Sequence, residues 1–396
     1  MTIQSNLTRI AKRLARPFTG KSHLRAIPDS LREYMGKGSS GGFPSPPLFA
    51  FFFDDRKLFL KKWFPDRTLL IMGMRVDRKM FDQHFRRRLL ADSRSEILSW
   101  GYRADKWVYD FARENSIPVI YCEDGFIRST GLGNERQQPL SLCFDRQGLY
   151  FDARTPSDLE TLLQNYDFDN DVELMRRAEE CAATFLKSGL SKYNFAENID
   201  IAALYGEKKA KRILVIGQVE DDASIRYGCD QKINNNDLVR LAHAENPDAQ
   251  IIYKPHPDTI YGSRKMLSDP NEVADIATVV LDRIPFSQSL ETIDHVYTIT
   301  SLGGFEALLR GIPVTTLGCP FYAGWGLTDA RQPNPRRTRT LSVLNVFAAA
   351  YILYPRYFHP IENRTIEIEE ALEVMMSLKT SREDGQDLTP SALKLT

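Results

Sequence analysis

Two stretches constrain the fold of this chain more than any others: Ile251-Ile-Tyr-Lys-Pro-His-Pro-Asp258, and Val296-Tyr-Thr-Ile-Thr-Ser-Leu-Gly-Gly-Phe-Glu-Ala-Leu-Leu-Arg-Gly311. Each opens on an apolar β-branched or aromatic run that predicts a buried parallel strand, and each run stops at small or polar residues. In open α/β sheets ligands bind beyond the carboxyl ends of strands, so these polar residues fall where a nucleotide would be held. Lys254 and His256 offer a cation and hydrogen-bond donors for a phosphate, and Pro255 and Pro257 fix the loop around the histidine. Thr300 and Ser301 are placed to cap a helix whose N-terminal amides and dipole attract an anion. Gly303 and Gly304 are expected to let a ligand approach the backbone, and Glu306 is grouped with them on the donor side. Two such sites on one sheet point to a nucleotide-sugar transferase.

At 396 residues the chain is too long for one typical core and suits two domains of ordinary size. Apolar residues make up 42 %, which excludes wholesale disorder. Lys+Arg 52 against Asp+Glu 52 leaves no net charge, which argues against a dedicated nucleic-acid binder. Five cysteines (Cys122, Cys143, Cys181, Cys229, Cys319) show neither CxxC pairs nor metal-like spacing. They fit reduced, buried thiols of a cytosolic protein. No run approaches a membrane span, and no signal peptide is expected. The run Phe49-Ala-Phe-Phe-Phe53 is too short to span and ends at Asp54-Asp55.

Residues 1–47 read as a separate extension and linker. Leu7, Ile10, Ala11 and Leu14 fall on one helical face with Arg9, Lys12, Arg13 and Arg16 around them. Such a segment suits peripheral attachment to an anionic inner-membrane surface, or packing on its own domain. Residues 48–190 are expected to form a first Rossmann-like domain on the acceptor side, with strands Thr68–Met72, Ile97–Ser99 and Pro118–Tyr121. Residues 191–340 form a second, donor-side domain with strands Ile213–Ile216, Ile251–Tyr253, Thr278–Leu281, Val296–Ile299 and Val314–Leu317. Terminal helices follow over 341–380 (Leu341–Tyr354, then Ile366–Met376), and 381–396 is a polar tail. The fold class is therefore α/β, with two doubly wound domains facing across a cleft.

Gly217-Gln-Val-Glu-Asp-Asp-Ala-Ser224 follows a predicted strand. Three carboxylates at a strand end repel one another unless they face water, a cation or a substrate that develops charge. For Glu220 and Asp221 a solvated loop suffices; one carboxylate here would serve a retaining glycosyl transfer as nucleophile or oxocarbenium stabiliser. Gly217 and Gln218 join the donor side. In Tyr121-Cys-Glu-Asp-Gly-Phe-Ile-Arg-Ser129, Glu123 and Asp124 are placed to deprotonate an acceptor hydroxyl, although Asp124-Gly125 also makes a good turn. Arg128 is placed to bind a sugar carboxylate, or to serve as a salt-bridge partner. Phe321-Tyr-Ala-Gly-Trp-Gly326 sets Tyr322 and Trp325 on a glycine-rich loop, for stacking a base or sugar or for packing the core. No DxD pair follows a strand and no zinc spacing occurs, so no metal is expected.

The set EDGFIRS, SKYN (Ser191–Asn194), GQVEDDAS, YKPHPD, TSLGGFEALLRG and PFYAGWG resembles the bacterial capsule β-Kdo transferases of the KpsC type, and the Kdo-transferase module of the O-antigen enzyme WbbB. The resemblance covers about Thr68 to Pro360. It implies a GT-B fold, a CMP-β-Kdo donor with no further cofactor, and retention of configuration. It maps the catalytic carboxylate onto Asp222 and the grip on CMP onto Lys254-Pro-His-Pro257 and Thr300-Ser301. It adds Lys192, Tyr193 and Asn194 to the acceptor side. The implied partners are CMP-β-Kdo and a glycan or lipid-linked glycan acceptor, with the protein in the cytoplasm or peripheral at the inner membrane. Capsule enzymes of this type carry two related modules and this chain carries one, which favours an O-antigen or lipopolysaccharide enzyme or a single module of a larger protein. A sialyltransferase-like or UDP-sugar GT-B enzyme, and a non-catalytic glycan-binding module, are the rival readings.

Overall fold

The computed structural model describes residues 43–383, apart from 52, 54–56, 58, 73–75, 130–137, 192–199, 263 and 283. The basic extension, Lys192, Tyr193, Asn194 and the tail from 384 onward therefore lie outside the described residues. The chain folds into two compact units, Met1–Val119 and Ile120–Thr396.

The first unit is built on three parallel strands, β1 (Pro47–Phe51), β2 (Thr68–Met72) and β3 (Glu96–Trp100), with β1 in the middle. Phe49 aligns with Leu70 on one side and Ile97 on the other. Every residue of β1 is buried, so the segment shows no alternation that would mark it as a strand in the sequence. Helix α1 (Arg78–His84) starts at Asp77, whose carboxylate accepts the Met80 amide. Helix α2 (Lys106–Glu114) buries Val108, Phe111 and Ala112. Phe51, Phe81, Trp107 and Phe111 meet edge-on or tilted and fill the core between strands and helices.

The second unit holds an antiparallel group and a parallel sheet. In the first, β4 (Val119–Asp124) pairs with β5 (Ser141–Asp145), and β5 with β12 (Pro355–Phe358), which pairs with β13 (Thr365–Ile366). The parallel sheet runs β11-β10-β9-β6-β7-β8, from Asp329–Ala330, Val314–Thr316, His295–Thr298, Arg212–Ile216, Gln250–Lys254 and Thr278–Val279. Its helices include α3 (Asp158–Asn165), α4 (Val172–Lys187), α5 (Ala223–Gly228), α6 (Asn235–Glu245), α7 (Pro257–Ile260), α8 (Leu302–Leu309) and α9 (Ile368–Glu383). Leu214, Ile216, Ile252, Val296 and Val314 face one apolar core, and Ile213, Val215, Ile251, Tyr253 and Tyr297 face another. A parallel sheet covered on both faces explains why these strands read as continuous apolar runs.

The five strands expected in the second half are all present, each within two residues of its expected ends. The region read as terminal helices is more varied. Val343–Phe347 is α-helical, a π-helical turn follows over Ala348–Leu353, and β12 and β13 intervene before α9. Pro355 can open β12 because a strand's first residue tolerates a missing N–H. The α/β, GT-B-like class stands, with parallel-rich sheets throughout.

Candidate functional site

The ends of β6 and β9 are tied together by one side chain. Gln218, 6 % exposed, follows β6 directly. Its Oε1 accepts the Thr300 amide at 2.7 Å, and its Nε2 donates to Thr300 Oγ1 at 3.1 Å. Its own amide donates to Asn235 Oδ1 at 2.9 Å, while Asn235 Nδ2 donates to the Gln218 carbonyl at 2.8 Å. The Asn235 amide donates to Glu220 Oε1 at 2.7 Å, and Ser268 Oγ donates to the same oxygen at 2.5 Å. Residues 218–220 are thereby strapped to the start of α6. Glu220 serves the loop, as expected, and Asp221 forms a half-exposed ion pair with Arg264 at 2.6 Å. Asn235 and Ser268 were not singled out in the sequence, where nothing separates them from ordinary capping residues.

Gly217 has a structural reason to be glycine. Its amide donates to the Lys254 carbonyl at 2.8 Å, and a Cβ there would sit 2.8 Å from Pro255 Cα and 3.1 Å from the Lys254 carbonyl oxygen. Both obstacles are backbone, so neither can swing aside. Gly217→Ala is expected to lose about 1–3 kcal/mol of stability, as overpacking does, by urea denaturation. An unchanged midpoint would show that the β6–β7 approach is slack.

Asp222 caps α5: its Oδ1 accepts the Ser224 amide at 2.9 Å. Its Oδ2 makes no hydrogen bond with a described residue, which leaves one carboxylate oxygen fixed and the other open. His256 caps α7, with Nδ1 accepting the Asp258 amide at 3.1 Å. That acceptor role leaves the ring proton on Nε2, which points a single N–H donor away from the loop. Burial holds the His256 pKa below its ordinary value; Asp258 and Asp222 pull it up, and Lys254 and Arg264 push it further down. Lys254, at the end of β7, is half-buried and makes no ion pair with a described residue. Burial pushes its pKa down to about 8 against the opposing charge of Asp282. Asp222 and Lys254 both act electrostatically on His256, so an open carboxylate, a donor N–H and a cation that makes no ion pair with a described residue form one group.

Ser301 caps α8, accepting the Gly303 amide at 3.2 Å, and Thr300 Oγ1 donates to Ser224 Oγ at 3.3 Å. Thr300 therefore joins the Asp222 loop, and Ser301 lies beside it at the same strand end. Gly303 and Gly304 do other work. A Cβ on Gly303 would collide with the Phe286 ring at 2.4 Å, and one on Gly304 with the Tyr322 hydroxyl at 2.2 Å. They make room for aromatic side chains, not for a ligand. Glu306 is buried in α8 at 3 % exposure. Tyr322 and Trp325 are fully buried. Tyr322 donates to the Ser301 carbonyl at 2.5 Å and Trp325 Nε1 to the Phe321 carbonyl at 2.8 Å. Neither ring offers a face to a base or sugar, so the loop packs the core.

Glu123 and Asp124 end β4, opposite Cys143 and Leu142 of β5. Asp124 Oδ2 accepts Arg128 Nε at 2.8 Å, and Arg128 Nη1 donates to Ser129 Oγ at 3.0 Å. Arg128 is 7 % exposed and clamps its own turn through the ion pair with Asp124, the salt-bridge alternative of its two readings. A Cβ on Gly125 would lie 2.2 Å from Ser141 Oγ, which fixes the Asp124-Gly125 turn against β5. Phe126 contacts Phe321 at 4.8 Å between ring centroids, joining EDGFIRS to PFYAGWG through the core. Among the described residues, His359, Glu362 and Glu370 lie close enough to hold a metal ion. His359 Nδ1 accepts the Ile361 and Glu362 amides, and Arg364 bonds both carboxylates, so the group is an ion-paired turn.

Residues 95–357 match the family described as capsule polysaccharide biosynthesis protein. The lipopolysaccharide-processing protein LpsZ of Rhizobium meliloti is 48 % identical over 273 residues, 69 % of this chain and 62 % of LpsZ. The capsule polysaccharide modification protein LipA of Neisseria meningitidis serogroup A is 42 % identical over 294 residues, 74 % of this chain and 41 % of LipA. The chain thus spans less than two thirds of either curated relative. Two solved structures from Thermosulfurimonas dismutans KpsC are similar over 84 % of this chain and 99 % of theirs. The β-Kdo 2,4 transferase has a TM-score of 0.71 at 31 % identity, and the β-Kdo 2,7 transferase 0.65 at 33 %. With the family matched over more than half its length and both KpsC transferases covered almost end to end, this chain belongs to the capsule polysaccharide biosynthesis protein family, in its KpsC-type branch.

Proposed function

We propose that this chain is a retaining glycosyltransferase that moves Kdo from CMP-β-Kdo to a bacterial surface glycan, with Asp222 as nucleophile. The observation that carries the reading is the open Asp222 oxygen in one electrostatic group with Lys254 and the donor N–H of His256. A sugar nucleotide with a phosphate leaving group needs positive charge at the phosphate and a carboxylate at the anomeric carbon. Lys254 and His256 Nε2–H neutralise the departing CMP phosphate, so no metal is needed for that charge. Asp222 Oδ2 attacks C2 of Kdo as the C2–O bond to the phosphate breaks, giving a glycosyl ester and CMP. The acceptor hydroxyl then attacks C2 from the opposite face and Asp222 leaves as carboxylate, so two inversions retain configuration. The acceptor proton passes to Glu123 or to the phosphate of CMP. The two KpsC modules form different linkages, 2,4 and 2,7, and the acceptor position is a matter for assay. Incubation with CMP-Kdo and glycan acceptors, followed by NMR of the product, tests the reading. A β-linked Kdo is expected, and an α linkage or no turnover would overturn it.

The charge on Lys254 gives a pH dependence with a definite sign. Above about pH 7 a phosphate monoester is already a dianion, because its second pKa is about 6. Lys254 is cationic below about 8 and loses its charge above. CMP affinity is therefore expected to fall as pH rises through about 8, by up to about tenfold per unit, with one proton taken up on binding. Calorimetry in buffers of different ionisation enthalpy measures that proton. Lys254→Arg keeps its charge throughout and is expected to flatten the profile. A flat wild-type profile would remove Lys254 from the phosphate site.

A further inference from the structure

Asp222 is followed one helical turn later by an arginine that makes no ion pair with a described residue. The Arg226 amide donates to the Asp222 carbonyl at 3.0 Å, the first hydrogen bond of α5. Side chains four residues apart share a helix face, and Cα–Cβ bonds tilt toward the N-terminus, so the Arg226 side chain starts on the face of the turn that carries Asp222. It is exposed and makes no ion pair with a described residue. Other arginines differ. Arg154 is held by Asp152 at 2.9 and 3.0 Å, Arg264 by Asp221 at 2.6 Å, and Arg128 by Asp124 at 2.8 Å.

The ring beside Arg226 is itself held. Tyr227 is fixed from one side by the Arg154 guanidinium, 4.3 Å from its ring centroid, and its carbonyl accepts the Ala153 amide at 3.1 Å. Arg226 lies 5.5 Å from the same ring. Resting on the proposed transferase reading, we infer that Arg226 selects the substrate by binding the carboxylate of an acidic sugar whose anomeric carbon faces Asp222. In a 2-ulosonic acid the carboxylate is bonded directly to the anomeric carbon, within reach of a side chain one turn from the nucleophile. A neutral aldose carries hydrogen there and offers the guanidinium nothing. The planar fork of arginine pairs with a carboxylate through two parallel hydrogen bonds. An acidic acceptor sugar presents the same chemistry, and the two sources can be separated.

The test compares free Kdo with its methyl ester, by NMR titration, on wild-type protein and on Arg226→Ala and Arg226→Lys, with CMP as control. Wild type is expected to bind Kdo about tenfold or more tighter than the ester, the worth of a charge-assisted pair. Arg226→Ala is expected to bind both equally weakly, Arg226→Lys to fall between, and CMP affinity to stay within about twofold in all three. Arg226→Ala that still prefers Kdo to its ester, or that loses CMP in parallel, overturns the inference. Turnover with an esterified donor and, separately, an esterified acceptor assigns the carboxylate. The arm in which Arg226→Ala erases the penalty names its source. Absence of transfer from CMP-Kdo would sink the transferase reading alone, because the binding comparison needs no turnover.

Discussion

Asp222→Asn is expected to lower Kdo transfer by about 10³-fold or more while leaving CMP affinity within about twofold of wild type. The asparagine keeps the cap, since its amide oxygen can still accept the Ser224 amide that Asp222 Oδ1 accepts at 2.9 Å. What changes is the other oxygen, replaced by an NH₂ that cannot attack a carbon centre. The proposed phosphate site uses different residues, Lys254 and His256, so nucleotide binding has no reason to follow. The split between kcat and CMP affinity is the diagnostic, because a variant that merely loosened the loop would lose both. One neighbouring effect is calculable in sign: Asp222 raises the His256 pKa, so its removal lowers that pKa further. The histidine stays neutral near pH 7 in both proteins and keeps its Nε2–H. Stopped assays with excess CMP-Kdo measure the loss, and transfer within about tenfold of wild type would take Asp222 out of the mechanism. With donor alone, intact mass spectrometry of wild type is expected to show a Kdo adduct that Asp222→Asn lacks.

How legible this was in the sequence depends on what each residue type reports. The strand-end positions of Lys254, His256, Thr300 and Ser301 were readable because long buried strands end abruptly there, and a strand end in a parallel sheet is a position with meaning. Asp222 was singled out among three acids only by the family resemblance. The structure supplies a physical distinction: Glu220 is bound to Asn235 and Ser268, Asp221 to Arg264, and Asp222 keeps an open oxygen. Gly303 and Gly304 show the opposite case. A glycine in a sequence reports that a Cβ is excluded and says nothing of what excludes it; here the excluding groups are Phe286 and Tyr322. Strands β5 and β12 escaped notice, and the pairing of one with the other joins distant parts of the chain. Pro355 pairs with Cys143, and that register is invisible to local periodicity. Arg226 looked like any surface arginine until the ion pairs of its neighbours were on view.

The loop that holds Tyr322 and Trp325 rests on a buried carboxylate, which sets the largest expected loss of stability. Glu160, at the start of α3, is 7 % exposed and accepts Arg336 Nε at 2.5 Å and Arg337 Nε at 3.0 Å. The Arg337 side chain is 3 % exposed. Its Nη1 donates to the Pro320 and Ala323 carbonyls at 2.6 and 2.7 Å, and its guanidinium lies 5.6 Å from the Trp325 ring. Gly324, at φ +83°, lets the backbone turn there, with its absent Cβ 3.2 Å from Arg337 Cδ. Glu160→Ala would leave that guanidinium buried without a counter-charge, and breaking a buried pair from one side costs about 3–5 kcal/mol. Arg336 is one-third exposed, so water can take over its share; the loss is expected to come from Arg337. Arg337→Met in the Glu160→Met background should accordingly recover much of the loss, because two apolar side chains of similar volume replace the pair without stranding a charge. Urea denaturation of the two single variants and the double variant measures this. A loss below about 1 kcal/mol for Glu160→Ala, or a double variant no better than Glu160→Met alone, would show that the loop is held by aromatic packing and not by the ion pair.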